Sequence, residues 1–171
     1  MMNIYMTTGT RSFMDTVREK HSKEQIIMMH GEGHTLLLHE TEGKSVFQSP
    51  RKYEVISSSG QLEHEGFFVF NNIPVSDEGR PVFEHRFSKR AELMDTQPGF
   101  VAFRLLRPLE SDTYIVLTEW KESSYFDLWK HSAAFKKSHE QLNTKEYADN
   151  TTHIFTSASY ITTYVAKEDD E

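Results

Sequence analysis

The chain has 171 residues, 37% of them hydrophobic, with 12 Phe, 7 Tyr and 2 Trp, enough apolar mass to bury a core as one domain or as two small units packed together. It contains no cysteine, which excludes disulfides, thiolate zinc sites, cysteine-held iron–sulfur clusters and a cysteine nucleophile, and fits a reducing, cytoplasmic setting. A formal net charge of -7 with no basic stripe argues against nucleic acid as a partner, and no segment has the apolar length of a signal peptide or a membrane span.

Along the chain, "NIYMTT" alternates as a strand does, and Gly9 with Thr10 opens a helical pattern through "RSFMDTVREK", with Phe13 and Val17 on its apolar stripe. "QIIMMH" and "HTLLLHE" follow as two short strands joined by "GEG", a tight turn whose glycines can take positive φ. "KYEVISS" is a further strand, and "SSGQLEHEG" has the glycine, serine and charge content of a linker.

A second unit starts with the strand "FFVFNNIPV". Ser76 offers a capping oxygen to a helix whose first turn would hold Asp77 and Glu78, with Val82, Phe83, Phe87 and Ala91 as its buried stripe. "GFVAFRLLRPL" and "DTYIVLTEW" make the next hairpin. Ser123 or Ser124 would then cap a short helix bearing Phe126 and Trp129, and Ser132 a second one bearing Phe135 and His139, before a last strand "ASYITTYVA".

The second unit thus reads βαββαβ, a ferredoxin-like arrangement, and the first is a shortened version of it. The expected fold is α+β, two ferredoxin-like halves in one chain forming a pseudo-dimeric barrel, since either sheet alone would leave apolar edges open. The expected boundaries are residues 1–65, residues 66–166 and an acidic tail, residues 167–171. The expected assembly is a monomer with an internal pseudo-twofold.

Few residues point to chemistry. His139 follows Phe135 by four positions, so both project from one helix face, where an imidazole can serve as an iron ligand or stand as an ordinary solvated side chain among Lys136, Lys137 and Glu140. Asn71 and Asn72 are adjacent in an apolar strand, so one of them must point inward, either to satisfy backbone groups or to meet something bound. His30, His34 and His39 around the first hairpin give a weaker zinc pattern, because His34 and His39 fall on opposite strand faces. No G-x-S-x-G elbow, P-loop or dinucleotide fingerprint is present.

The order in "LTEWKESSYFDLWKHSAAFKKSHEQL", a strand, a tryptophan, a short helix ending in Trp129, then a phenylalanine and His139, resembles the antibiotic biosynthesis monooxygenase (ABM) domain family in its heme-degrading branch. "FNNIPV" resembles the strand that carries that branch's asparagine, and "EGRPVFEHRF", "GFVAFRLLRPLESDTY" and "SYITTY" extend the likeness to its two-part members over nearly the whole chain.

The resemblance implies that His139 is the proximal ligand of the heme iron, Asn71 the distal amide and Trp129 the bulky side chain against the macrocycle. It implies heme as both cofactor and substrate, dioxygen as co-substrate, ring opening with release of iron, and an external electron donor, a separate reductase or a small reductant. Lys136 or Lys137 would then lie near the anionic heme propionates. The N-terminal half, which has no matching Trp and His after its hairpin, would complete the barrel without binding heme. The same two-part architecture also resembles a non-enzymatic signalling or stress-protection family that lacks the heme histidine, and the fold is shared with cofactor-free ABM oxygenases.

Overall fold

The computed structural model of the chain describes residues 1–88, 94–132 and 154–167. Eight antiparallel strands close into a barrel, and three helices among the described residues lie outside it. The elements are β1 (Asn3–Gly9), α1 (Arg11–Lys20), β2 (Ile26–His30), β3 (Thr35–Thr41), β4 (Arg51–Gly60), β5 (Gly66–Pro74), α2 (Arg80–Phe87), β6 (Phe100–Pro108), β7 (Thr113–Trp120), α3 (Ser123–Lys130) and β8 (Tyr160–Ala166). No helix among the described residues is long and apolar enough to cross a membrane.

Around the barrel the strands run β1, β3, β2, β8, β5, β7, β6, β4, and β4 pairs with β1 to close it. From β5 to β8 the chain is βαββαβ, with the first strand of that series lying between its third and fourth, a ferredoxin-like order. Strands β1 to β4 repeat that neighbour relation, β1 lying between β3 and β4, but no helix intervenes between β3 and β4.

The ladders repeat in detail. Ile4 lies opposite Glu40 and Tyr53, and Phe68 lies opposite Glu119 and Tyr164. Each group of four strands also supplies the other's outer neighbours: β4 pairs with β6 from Tyr53 to Gly60, and β2 meets β8 at His30 and Val165.

Strand alternation sorts the apolar residues into two layers. Ile4, Met6, Met29, Leu36, Leu38, Phe68, Phe70, Leu106, Ile115 and Leu117 fill the barrel. The outward residues of β5, β6 and β7 pack under α2 and α3, with Val69, Ile73, Phe83, Phe87, Phe103, Tyr114, Val116, Trp120 and Phe126 as its core. A smaller outer cluster, with Tyr5, Met14, Met28 and Leu37, lies beneath α1.

Several local expectations are corrected. Thr10 does cap α1, accepting from the Phe13 N–H at 3.2 Å, but Phe13 is 61% exposed and Met14 is the residue that α1 buries. Ser76 does not cap α2. Its Oγ accepts from the Gly79 N–H at 3.1 Å, so Asp77 and Glu78 form a turn, and α2 starts at Arg80 with Pro81 in its first turn, where a missing N–H costs nothing.

Phe83 and Phe87 are buried as expected, Val82 is 40% exposed, and Ala91 lies outside the described residues. Neither Ser123 nor Ser124 caps α3: Glu122 holds that place and makes no side-chain cap bond. The linker is shorter than its composition suggests, because β4 continues through the serines to Gly60 and only residues 61–65 bridge to β5.

Candidate functional site

The two asparagines of β5 point to opposite faces, as period-two alternation requires. Asn72 is buried inside the barrel, where its Nδ2 donates to Phe70 O at 3.1 Å, Tyr160 O at 3.2 Å and Thr162 Oγ1 at 3.2 Å. Its amide is therefore committed to joining β5 and β8. Asn71 faces out, in line with Val69 and Ile73, and lies opposite Val116 of β7 and Ile161 of β8. It is half-buried, on the face that the helical layer packs against.

Beside Asn71, the outward face of β8 is open: Ile161 is 53% and Val165 43% exposed, with the exposed Thr163 between them. At the far end of that face a cavity of about 450 Å³ is lined by Phe67, Val165, Lys121, Lys167, Ser123 and Ser124, among others, next to the start of α3.

α3 exists because Phe126 and Trp129 share a face three residues apart and Trp120 gives them a buried surface to sit on. The Trp129 ring lies 5.8 Å from that of Trp120 and 6.2 Å from that of Phe126, and Trp120 is itself fully buried, its Nε1 donating to Thr118 Oγ1 at 3.0 Å. Lys130 lies over the Phe126 ring at 4.8 Å. After α3, the Ser132 hydroxyl donates back to the Trp129 carbonyl at 2.6 Å. Trp129 thus stands half-buried at the rim of the same outer layer that Asn71 faces. His139, with Phe135, Lys136 and Lys137, lies outside the described residues.

A polar network fixes α2 over this layer. Arg107 of β6 binds Glu84 of α2 through both Nε, at 2.8 Å, and Nη2, and approaches Glu54 of β4 at 3.6 Å; the Tyr114 hydroxyl also donates to Glu84. The hydrogen bond from Arg107 pulls the Glu84 pKa below the usual carboxylate range, against an opposing desolvation, while burial and Glu84 raise that of Tyr114. Arg80 stands over the Tyr114 ring at 5.5 Å.

The hairpin histidines do not converge. His30 Nδ1 meets Thr35 Oγ1 at 2.9 Å, His34 Nε2 meets the Tyr164 hydroxyl at 2.8 Å, and His39 Nε2 meets Glu24 at 3.2 Å. No group of three or more metal-binding side chains occurs among the described residues.

Sequence reading missed the inward-facing charged residues, the buried Arg104 and Glu119 and the partly exposed Glu40 that pairs with Arg104. A signal was present: in "TYIVLTEW", Glu119 falls in the same alternating series as Ile115 and Leu117, and so had to point inward with them.

Residues 66–141 match the antibiotic biosynthesis monooxygenase (ABM) family. The chain is 24% identical, over 80% of its own length and 82% of the relative's, to a heme-degrading monooxygenase of Listeria monocytogenes. It is 25% identical, over 85% of its length and 87% of the relative's, to the signal transduction protein TRAP of Staphylococcus epidermidis. Its fold superposes on the solved structure of a major regulator of staphylococcal pathogenesis with a TM-score of 0.85 at 23% identity, covering 98% of this chain and 100% of that one.

Proposed function

We propose that the chain, an ABM-type protein over residues 66–141, is a heme-degrading monooxygenase that takes heme as substrate and opens its ring with dioxygen, releasing iron. The observation that carries this reading is the division of labour between the two asparagines. Asn72 is consumed inside the barrel, which leaves Asn71 as an amide facing the helical layer, beside the exposed Ile161, Thr163 and Val165 of β8, two of which offer apolar surface to a flat macrocycle. The likeness to the Listeria heme-degrading monooxygenase supports it.

In this reading His139 would hold the heme iron through a neutral imidazole, Asn71 would offer its N–H to a ligand of the iron, and Trp129, backed by Trp120, would pack against the macrocycle. Bound heme supplies the iron that reacts with dioxygen, and the electrons come from a separate reductase or a small reductant.

The halves take different parts. We infer a pseudo-dimer in which residues 66–166 form the heme-binding unit, residues 1–65 complete the barrel, and residues 167–171 are a tail. The repeated ladders support it, and so does the position equivalent to Asn71: Thr7, opposite Leu37 as Asn71 is opposite Val116. The first half has no helix between β3 and β4 to carry a second ligand. A titration that reached two hemes per chain would remove this part of the proposal.

The test mixes purified protein with hemin, follows the Soret band, then adds ascorbate or a reductase under air. Stoichiometric binding in the wild type, its loss in His139→Ala, and decay of the band with iron release support the enzyme. An identical weak spectrum for wild type and His139→Ala would leave the second reading, a non-enzymatic signalling or stress-protection protein, which the likeness to TRAP favours.

A further inference from the structure

Glu40 and Glu119 stand at equivalent ladder positions but have unlike surroundings. The Glu40 carboxylate receives both Nε, at 2.6 Å, and Nη2, at 3.3 Å, of Arg104, whose Nη1 also donates to the carbonyls of Ser59 and Phe103. Arg104 lies opposite Leu117; the residue at the matching place in the first half, opposite Leu38, is Ile27. Among the described residues, the second carboxyl therefore has no guanidinium of its own at the equivalent place.

Glu119 is 0% exposed. Its Oε1 accepts from the Glu63 N–H at 2.9 Å, and its Oε2 has no hydrogen-bond partner among the described residues. Gly66 makes the room for it: a Cβ there would stand 2.9 Å from Oε2, and the backbone at φ +146 suits glycine. Residues 61–65 cover the group, with Leu62 packed on the barrel core and Glu63 on Oε1.

The charged groups that face it are the Glu63 carboxylate on that loop and Arg104 on β6, the latter already held by Glu40 of β3, while β5 presents Phe68 and Gly66. An isolated carboxylate in such a place must either keep its proton or admit water.

We infer that Glu119 is a proton-operated latch: as a neutral acid it holds residues 61–65 closed over the barrel end, and on losing its proton it opens them. Among the described residues, this loop is the cover that can move aside to hydrate the anion without breaking a strand ladder, and the Glu63 carboxylate repels the new charge. Burial, reinforced by Glu63, raises the Glu119 pKa from 4.5 to about 8, against the opposing pull of the Glu63 N–H and Arg104. The folded state thus holds a proton that the unfolded state releases, so stability falls as pH rises from the unfolded pKa of 4.5 to about 8 and changes no further above it. This inference does not rest on heme.

The test is amide exchange of Glu63 in the full chain, corrected for the intrinsic rate, at about pH 5.5 and about pH 9. Wild type should lose about tenfold or more of its protection, with the same midpoint as the Glu119 carboxyl in a carbon NMR titration, and Glu119→Gln should lose less than about threefold. Unchanged wild-type protection, an equal loss in Glu119→Gln, or a Glu119 midpoint below about pH 6 would overturn it. His64, on the same loop, meets Gln25 at 3.3 Å instead, so a His64→Gln variant must keep the pH response; losing it would also overturn the inference. Because the midpoint comparison uses wild type alone, a Glu119→Gln variant that fails to fold leaves the test intact.

Discussion

Trp120 on β7 and Trp129 on α3 lie 5.8 Å apart, centroid to centroid, with their planes inclined by 36°. Only the first is fully buried, so the two should separate stability from function. Trp120→Ala removes the surface on which Phe100, Phe126 and Trp129 pack and should cost about 3–5 kcal/mol. Trp129→Ala should cost only about 1–2 kcal/mol, since the residue is only partly buried, yet weaken the visible spectrum of a hemin complex. Urea melts and hemin titrations of the two variants check this, and equal effects on both readouts would contradict it.

The neighbouring asparagines should part in the same way. Asn72→Ala strips the Phe70 and Tyr160 carbonyls and the Thr162 hydroxyl of a donor and should destabilise by about 1–3 kcal/mol. Asn71→Ala should change stability by less than about 0.5 kcal/mol and suppress heme turnover under ascorbate. If Asn72→Ala proved the stable, inactive variant, the distal role of Asn71 would be wrong.

Glu84 gives the acid limb of the stability profile. Its pKa is lowered first by the Arg107 hydrogen bond, so the stabilisation it provides is present above its unfolded pKa of 4.5 and is lost as pH falls through the depressed folded value. Glu84→Gln should therefore lower stability at neutral pH and flatten the acid limb. Arg107 is one-third exposed and solvent screens the pair, so the loss should be on the order of 1 kcal/mol. Denaturant midpoints across the acid range measure it.

Gly60 and Gly99 lie at φ +71 and φ +72, where a side chain is strained whatever the space around it. A Cβ on Gly60 would also run into the Val101 carbonyl, and one on Gly99 into the Tyr125 ring of α3. Gly60→Ala should disturb the β4–β6 ladder, whereas Gly99→Ala should shift α3 and with it Trp129. Each should cost at least about 1–3 kcal/mol, but only the second should alter the near-ultraviolet tryptophan signal.

Strand identity was legible because "HTLLLHE", "FFVFNNIPV" and "DTYIVLTEW" carry short apolar runs, as strands buried on both faces do. Helix starts were less so. Ser76 and Ser123 are good capping residues by type, but the first bonds Gly79 within a turn and the second already lies inside α3, because packing of Phe83 and Phe126 onto the sheet sets where those helices begin. The inward asparagine could be narrowed to one of two by alternation, but choosing between them needed the partners that β8 brings from 88 and 90 residues away. Glu119 was legible as inward-facing. Its want of a cation was not, since that depends on Ile27, far away in sequence.

The barrel is closed by pairings between β4 and β6 and between β2 and β8, so each run of four strands leaves two bare edges that only the other run can cover. The backbone joins the two runs through residues 61–65 alone. Nicked there, the chain would become two polypeptides that reassemble as a heterodimer, and its melting temperature would come to depend on the concentration of the two pieces, rising with it.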